Sequence, residues 1–388
     1  MWELIQGLGQ SFIETPPLDW LKYVAMWAIG GVLIWLAIKK EMEPTLLLPM
    51  GFGAILVNLP FSGALNQIVV LGGEETEVVG AIQHLFDIGI EMGELLPLLL
   101  FIGIGAMIDF GPLLSNPKLF LFGAAAQFGI FFTMFIASFF FDLKDAASIG
   151  IIGAADGPTS IYVAQYFNSN FTGPIMVAAY SYMALVPIVQ PPVIKLCTTK
   201  KERLIRMPYE RASVSKTVRI LFPIVVTVIA GLIAPTSVTL VGFLMFGNLL
   251  RECGVLDSLS NAAQNILANL VTLLLGITIA FKMQADDFLN WQTLLIMGLG
   301  LVAFVFDTIA GVMFAKFLNL FTKKKINPMI GATGISAFPM ASRVVHKMGL
   351  EEDPQNFLLM HAAGANVSGQ IASVIAGGLI IKLVSSIG

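Results

Sequence analysis

The sequence predicts an all-α polytopic membrane protein made of two inverted repeats, each of about five spans plus one re-entrant hairpin. Three observations lead there. The 388-residue chain is 56% hydrophobic and only 12% charged, with many apolar runs near the ~20 residues that a helix needs to cross a bilayer. Two of these runs are broken by glycine and proline, once in each half of the chain. The elements of the two halves also recur in one order, the mark of a duplicated transporter fold.

Taken in order, the candidate spans lie at about Tyr23–Ile38, Thr45–Leu59, Leu95–Ile108, Leu119–Phe141, Gly173–Leu196, Val218–Ile233, Thr236–Leu250, Leu267–Phe281, Trp291–Phe321 and Phe357–Val384. Each reads as a helix because only a helix satisfies its own backbone hydrogen bonds in lipid. The broken runs Ala147–Gln165 and Ile326–Val345 are each expected as two half-length pieces. The first repeat covers 1–196, with its hairpin at about 147–166, and the second covers 197–388, with its hairpin at about 326–348. Gly72–Glu94 is acidic and reads as an amphipathic interfacial helix, whereas Cys197–Lys216 is strongly basic. No soluble domain is expected. Met1–Pro17 carries Glu3 and Glu14 and lacks a basic start, so no removable leader is expected. Cys197 and Cys253, with His84, His346 and His361, are too few and too scattered for a zinc or disulfide framework, and both cysteines read as reduced.

The duplication rests on local matches. "PT" at Pro44 and at Pro235 is followed by "GF" at Gly51 and Gly242, and "LLL" at Leu98 and Leu273 opens runs that end in "DF" at Asp109 and Asp287. "GAADGPTS" from Gly153 falls on "GATGISAF" from Gly331, and "KL" closes each half at Lys195 and Lys382. Orientation follows from basic loops, which stay cytoplasmic: Lys39 and Lys40, the run Lys200–Lys216, and Lys323–Lys325 with Arg343 and Lys347. Those loops share one side only if each broken run enters and returns as a hairpin. The two hairpins then meet from opposite faces, where irregular backbone is tolerated only if buried or lining a cavity.

Asp156 is the most informative residue. A carboxylate at the bilayer centre costs about 2.5–3.5 kcal/mol, so an acid there implies a use. Gly157 and Pro158 break the helix and free backbone carbonyls. The carboxylate, those carbonyls and the hydroxyls of Thr159 and Ser160 form an oxygen-only set that suits an alkali cation or a proton. A capping role for Asp156 is compatible with ligation. The second copy has Gly334 in that place, with Thr333 and Ser336 as its hydroxyls, which serve support or ligation equally well. In the last span, Asn366, Gln370 and Ser373 fall on one helix face. Asn366 is a neutral oxygen ligand for a cation, or an interhelical hydrogen-bonding group. By the repeat it falls opposite Tyr180, with Tyr182 two residues further. Asp109, His361 and Lys382 carry weaker signals, because a span end, a neighbouring partner and snorkelling explain them, and Asp307 lies within a long helix with no partner nameable from sequence. No phosphate loop, Ser-His-Asp set or metal-ligand cluster is present, and no nucleic-acid partner is expected.

The stretches "FIGIGAMIDFGPLL" (Phe101–Leu114), "GAAAQFGIFFT" (Gly123–Thr133), "AASIGIIGAADGPTSIY" (Ala146–Tyr162), "GATGISAFPMASRVVHKMG" (Gly331–Gly349) and "LLMHAAGANVSGQIAS" (Leu358–Ser373) closely resemble the β subunit of the bacterial sodium-translocating carboxylic acid decarboxylases. The resemblance covers nearly the whole chain. It implies an inner-membrane, multi-pass carboxybiotin decarboxylase with an elevator-like core and scaffold. It also implies a soluble carboxyltransferase α subunit, a biotin carrier protein, a small single-span membrane subunit and a homo-oligomeric assembly. The cofactors it implies are sodium and carboxybiotin supplied by the carrier, and the acid used by the α subunit need not be written in this chain. Carried over residue by residue, the family's essential aspartate falls on Asp156, its tyrosine on Tyr182, its asparagine on Asn366 and its serine on Ser373. Its basic residue near the end of the last helix falls on Lys382, a lysine in place of the expected arginine.

The expected catalytic set is therefore Asp156, Tyr182 and Lys382. The expected sodium ligands are Asp156, Gly157, Thr159, Asn366 and Ser373, with the ion between Asp156 and Asn366. The alternative is a stand-alone secondary carrier, a sodium/proton or sodium/carboxylate exchanger with no soluble partner. Topology is testable directly: cysteines placed by Lys201→Cys and Lys324→Cys should react with an impermeant thiol reagent only from the cytoplasmic side, and labelling of either from outside overturns the inverted-repeat count.

Overall fold

A computed structural model describes residues 16–60, 62–71, 74–208 and 214–387. The leader reading for Met1–Pro17 falls almost wholly outside them. The elements in chain order are α1 (Pro17–Lys40), α2 (Pro44–Val57), the strands β1 (Gln67–Leu71) and β2 (Glu74–Val78), α3 (Ala81–Phe86), α4 (Leu95–Met107), α5 (Gly111–Ser115), α6 (Phe120–Ala126), α7 (Phe128–Ala137) and α8 (Leu143–Gly150). They continue with α9 (Gly157–Tyr166), α10 (Thr172–Cys197), α11 (Lys216–Ile233), α12 (Val238–Glu252), α13 (Asp257–Met283), α14 (Trp291–Phe321), α15 (Met340–Glu352) and α16 (Leu359–Ser385).

The protein is almost wholly helical, and every candidate span coincides with a helix. Among the described residues seven helices are long and apolar enough to cross a membrane, or up to eight if the bent pair Ala81–Glu91 and Leu95–Met107 counts as one span. The other candidates fall short of the ~20 residues of a full crossing: α2 has 14 residues, α4 has 13 and α12 has 15. Gly72–Glu94 departs from the expected interfacial helix. Glu74–Val78 pairs antiparallel with Gln67–Leu71, and helix starts only at Ala81. The β-branched run Ile68–Val70 favours a strand, and a strand needs a partner, which the Glu74–Val78 segment supplies. Cys197 and Cys253 are both free.

Two compact units are present, Met1–Gly93 with Leu273–Leu294, and Glu94–Thr272 with Leu295–Gly388. In the first, α1 packs on α2, and the buried Asn58 amide ties the end of α2 to a later segment. Its Nδ2 donates to the carbonyls of Ala54 (2.8 Å) and Met283 (2.7 Å), while its Oδ1 accepts from the Ala285 N–H (2.7 Å). Lys22 pairs with Asp286 at 2.6 Å.

The second unit is organised around α16, which packs against α5, α6, α9, α15 and the 3-10 segment Pro328–Gly334. Its apolar core includes Phe101, Leu113, Phe122, Leu244, Met329 and Val367. Two elements here are broken. The first runs α8, then a 3-10 turn at Ile151–Ala154, then α9; Ala155 takes φ +50 and Asp156 is extended. The second runs Pro328–Gly334, then extended backbone at Ile335, then α15. Asn327 anchors the second break: its Oδ1 accepts from the Met329 N–H (3.1 Å), and its Nδ2 donates to the carbonyls of Arg203 (2.8 Å) and Ile205 (2.9 Å). Ion pairs clasp the same end, Arg203 to Glu352 at 2.6 Å and Arg206 to Asp353 at 2.5 Å. The Arg206 guanidinium, hydrogen-bonded to Asp353, holds that carboxyl below its usual range.

The Pro328–Gly334 segment lies unusually close to α14. A Cβ on Gly331 would stand 1.9 Å from the Gly311 carbonyl oxygen, and a Cβ on Gly311 would stand 2.0 Å from that of Gly331. The crossing therefore requires glycine on both chains. Gly331→Ala should cost about 1–3 kcal/mol, the usual effect of overpacking, read as a lower thermal midpoint of the purified protein. An unchanged midpoint overturns this account of the contact.

Candidate functional site

The two broken elements meet tip to tip. The Ser336 N–H, just after the second break, donates to the carbonyl of Ala154, just before the first, at 3.0 Å. Asp156 sits at this junction because the chain around it cannot stay helical. Pro158 has no N–H to donate, and Asp156 adopts the extended conformation of an N-cap. One carboxylate oxygen, Oδ1, accepts from the Thr159 N–H at 3.3 Å. The capping role anticipated from sequence is therefore real, and it uses only half of the carboxylate.

The other oxygen binds across the junction. Ser336 Oγ lies 3.0 Å from Asp156 Oδ2, Ser373 Oγ of α16 lies 2.9 Å from the same oxygen, and the two hydroxyls are 3.0 Å apart. Ser373 Oγ is also 3.0 Å from the Gln370 carbonyl. Each hydroxyl has one hydrogen, so the Oδ2, Ser336 and Ser373 oxygens share fewer protons than contacts, and lone pairs remain free. All three residues are buried.

Helix α16 secures the second tip with two amides from one face. Asn366 Nδ2 donates to the Ile335 carbonyl at 2.7 Å, and Gln370 Nε2 donates to the Ser336 carbonyl. This use of the nitrogens leaves Asn366 Oδ1 and Gln370 Oε1 buried without a hydrogen-bond partner among the described residues, as is Tyr180 Oη. Buried polar atoms in that state are uncommon and call for an explanation. Gly157 is confined as well: a Cβ there would stand 2.2 Å from the Tyr180 ring, so only glycine lets the tyrosine lie against the start of α9. The result is one buried carboxylate oxygen shared by two hydroxyls, one of which also lies on the Gln370 carbonyl, with the side-chain amide oxygens of Asn366 and Gln370 on the same helix as Ser373. A hard monovalent cation or a proton suits such a set. Among the described residues no group of three or more His, Cys, Asp or Glu could hold a metal ion.

Of the residues expected from sequence, Thr159 and Ser373 contact Asp156 directly, Gly157 adjoins it, and Asn366 reaches the Ile335 carbonyl, one residue before Ser336. Tyr182 points elsewhere: its hydroxyl donates to the Met297 carbonyl, and its ring lies against Gly300. Lys382 is exposed and lies nine residues beyond Ser373 on α16, about 13 Å at ~1.5 Å per residue. Asp307 is also buried: its Oδ1 accepts from the Gly129 N–H at 2.6 Å and its carboxylate lies against Gly153, in the turn that leads to Asp156, while Asp109 accepts from the Gly111 N–H at 2.8 Å. Ser336 is the contact that sequence left undecided. Its signal was its position two residues after Gly334, the repeat partner of Asp156.

A family profile described as the Na+-transporting oxaloacetate decarboxylase beta subunit matches residues 22–384. The methylmalonyl-CoA decarboxylase subunit beta of Propionigenium modestum is 49% identical over 375 residues, covering 93% of this chain and 94% of that protein. The oxaloacetate decarboxylase beta chain of Klebsiella pneumoniae is 46% identical over 431 residues, with 98% of both chains covered. The glutaconyl-CoA decarboxylase subunit beta of Acidaminococcus fermentans is 46% identical over 360 residues, with 92% of both covered.

Because Ser336 and Ser373 share one carboxylate oxygen and contact each other, their contributions to stability should not add. A double-mutant cycle with Ser336→Ala and Ser373→Ala should give a coupling energy of about 0.5–3 kcal/mol in equilibrium unfolding. Additive effects would mean that the hydroxyls act independently.

Proposed function

Because the chain belongs to the family of Na+-transporting oxaloacetate decarboxylase beta subunits, we propose that it is the membrane subunit in which carboxybiotin loses its carboxyl group and sodium is exported. It is a multi-pass protein of the bacterial inner membrane. In the decarboxylation the N–C bond breaks, its electron pair stays on the ureido nitrogen, that nitrogen takes up one proton, and carbon dioxide leaves. The observation that carries the sodium part is the junction at Asp156. Sodium is cargo here, held between the carboxylate and the oxygens of Ser336, Ser373 and Asn366 while the Thr159 N–H keeps the acid in register. One carboxylate balances one cation, and each hydroxyl can turn its hydrogen away and offer a lone pair.

The junction also suggests how coupling works. Both breaks converge on one ion, so losing that ion weakens the link between them, and a two-state core could be biased by decarboxylation at one end and by sodium at the other. Two inverted repeats, 1–196 and 197–388, with an elevator-like core give that motion a frame. The proposed partners are a soluble carboxyltransferase α subunit, a biotin carrier protein and a small single-span membrane subunit, with several copies of this chain in the assembly. Tyr182 and Lys382 enter only as candidates for the proton path, because neither contacts Asp156 here. Family membership favours this reading over the stand-alone exchanger, which would have no biotin-bearing partner.

Purified protein given free carboxybiotin should decarboxylate it in a sodium-dependent manner. Asp156→Asn should still fold, because asparagine also caps helices, yet lose both sodium-dependent thermal stabilisation and turnover. An Asp156→Asn protein that responds to sodium like the parent would show that the acid serves the fold and that the ion binds elsewhere.

A further inference from the structure

The second unit contains a cavity of about 770 Å³, within the ~300–1,000 Å³ range of small-molecule sites. Lys118, between α5 and α6, and Lys323, Lys324 and Lys325, after α14, line it. Other cations nearby are committed: Arg203, Arg206 and Lys316 each pair with a carboxylate. Among the described residues Lys118, Lys323 and Lys324 pair with none. The loop that carries three of the lysines is fixed in shape. The Asn319 side chain donates to the Ile326 carbonyl and accepts from its N–H, both at 2.7 Å, and Lys325 Nζ donates to the Asn319 carbonyl at 2.5 Å. The rest of the lining mixes the apolar Met207, Phe321 and Met360 with the polar Ser115, Asn116 and His361. A ligand that fits such a lining has an anionic head on a compact body that is partly apolar and partly hydrogen-bonding.

The position of the cavity matters as much as its charge. Ile326 lines it, Asn327 follows as the cap of the Pro328–Gly334 segment, and Ser336 lies two residues past that segment on Asp156. The cavity and the Asp156 cluster therefore stand at the two ends of one seven-residue 3-10 stretch, about 14 Å long at ~2.0 Å per residue.

Resting on the function proposed above, we propose that this cavity is the docking position of the N-carboxylated ureido head of carboxybiotin, with Lys118, Lys323 and Lys324 holding its carboxylate. It is a docking position and not the reaction centre. Ammonium groups stabilise the anionic ground state, and contacts kept through the reaction would oppose loss of carbon dioxide. Movement of the head inward past Ile326, into the buried stretch from Asn327 onward, strips the carboxylate of these partners and favours breakage of the N–C bond. The lysines accordingly govern affinity for carboxybiotin rather than its turnover.

The test compares the parent with Lys323→Gln/Lys324→Gln and Lys323→Arg/Lys324→Arg proteins, each full length and purified, with free carboxybiotin as substrate. The glutamine pair should raise KM about tenfold or more, since exposed charge contacts to one anion add up, with kcat and the sodium half-saturation within about twofold. The arginine pair should keep the parental KM. An unchanged KM for free carboxybiotin alongside a raised KM for the carrier-bound form would assign the lysines to the surface of the carrier protein and overturn the site. A fall in kcat at constant KM would overturn it too. Failure of the parent itself to decarboxylate carboxybiotin would remove the proposed function, and this site with it; an active parent with indifferent lysines would remove the site alone.

Discussion

Everything in the second unit turns on how one carboxylate is kept in a buried, irregular place. Asp156 has Oδ1 on the Thr159 N–H of its own half-helix and Oδ2 on hydroxyls from two other elements, Ser336 and Ser373. A buried acid stripped of these partners would be expensive, so the three elements must be present together or the site is unfavourable. The same three contacts fix the first break, the second break and α16 relative to one another within this unit. The backbone bond from the Ser336 N–H to the Ala154 carbonyl closes the arrangement.

Glycine and asparagine allow it. Pro328–Gly334 can lie against α14 because Gly311 and Gly331 have no Cβ, and Gly157 leaves room for the Tyr180 ring. Asn327 and Asn366 then hold the second broken element from both ends, one through the Arg203 and Ile205 carbonyls, the other through the Ile335 carbonyl. The Asn366 amide pairs a carbonyl at the break itself, and the Asn327 amide pairs carbonyls of the neighbouring Arg203–Ile205 stretch, which is how irregular backbone is tolerated inside a membrane protein. At Asn366 this leaves the amide oxygen buried without a hydrogen-bond partner among the described residues, the kind of group that the proposed cation site would use.

The division of labour between the two ends of the second broken element follows from their chemistry. One end is lined by exposed lysines, which attract an anion but in water discriminate weakly. Under the function proposed above, the other end holds one buried carboxylate with two hydroxyls on it, a charge that one monovalent cation balances. On that proposal an anion at one end and a cation at the other are separated by the seven-residue 3-10 stretch Pro328–Gly334. Such an arrangement suits a protein that converts the loss of a carboxyl group into the movement of an ion.

The amino-acid sequence by itself determined the membrane class, the ten helical segments and the two breaks, because those depend on local composition: apolar runs of sufficient length, and glycine or proline where helix cannot continue. It also marked Asp156, since an acid in an apolar run is conspicuous without any partner, and it put Asn366, Gln370 and Ser373 on one face by helical spacing alone. It misjudged Glu74–Val78, where a strand is stable only through its pairing with Gln67–Leu71, a contact outside its own window. The partner of Asp156 across the chain was decided by tertiary structure. Ser336 is 180 residues away, in a stretch whose local pattern suits support as well as ligation. Tertiary structure likewise turned Tyr182 toward the Met297 carbonyl and left Lys382 exposed far along α16. Residue type says what a side chain can bind, but which atoms lie within 3 Å is set by how the breaks fold back on α16, and no local pattern encodes that distance.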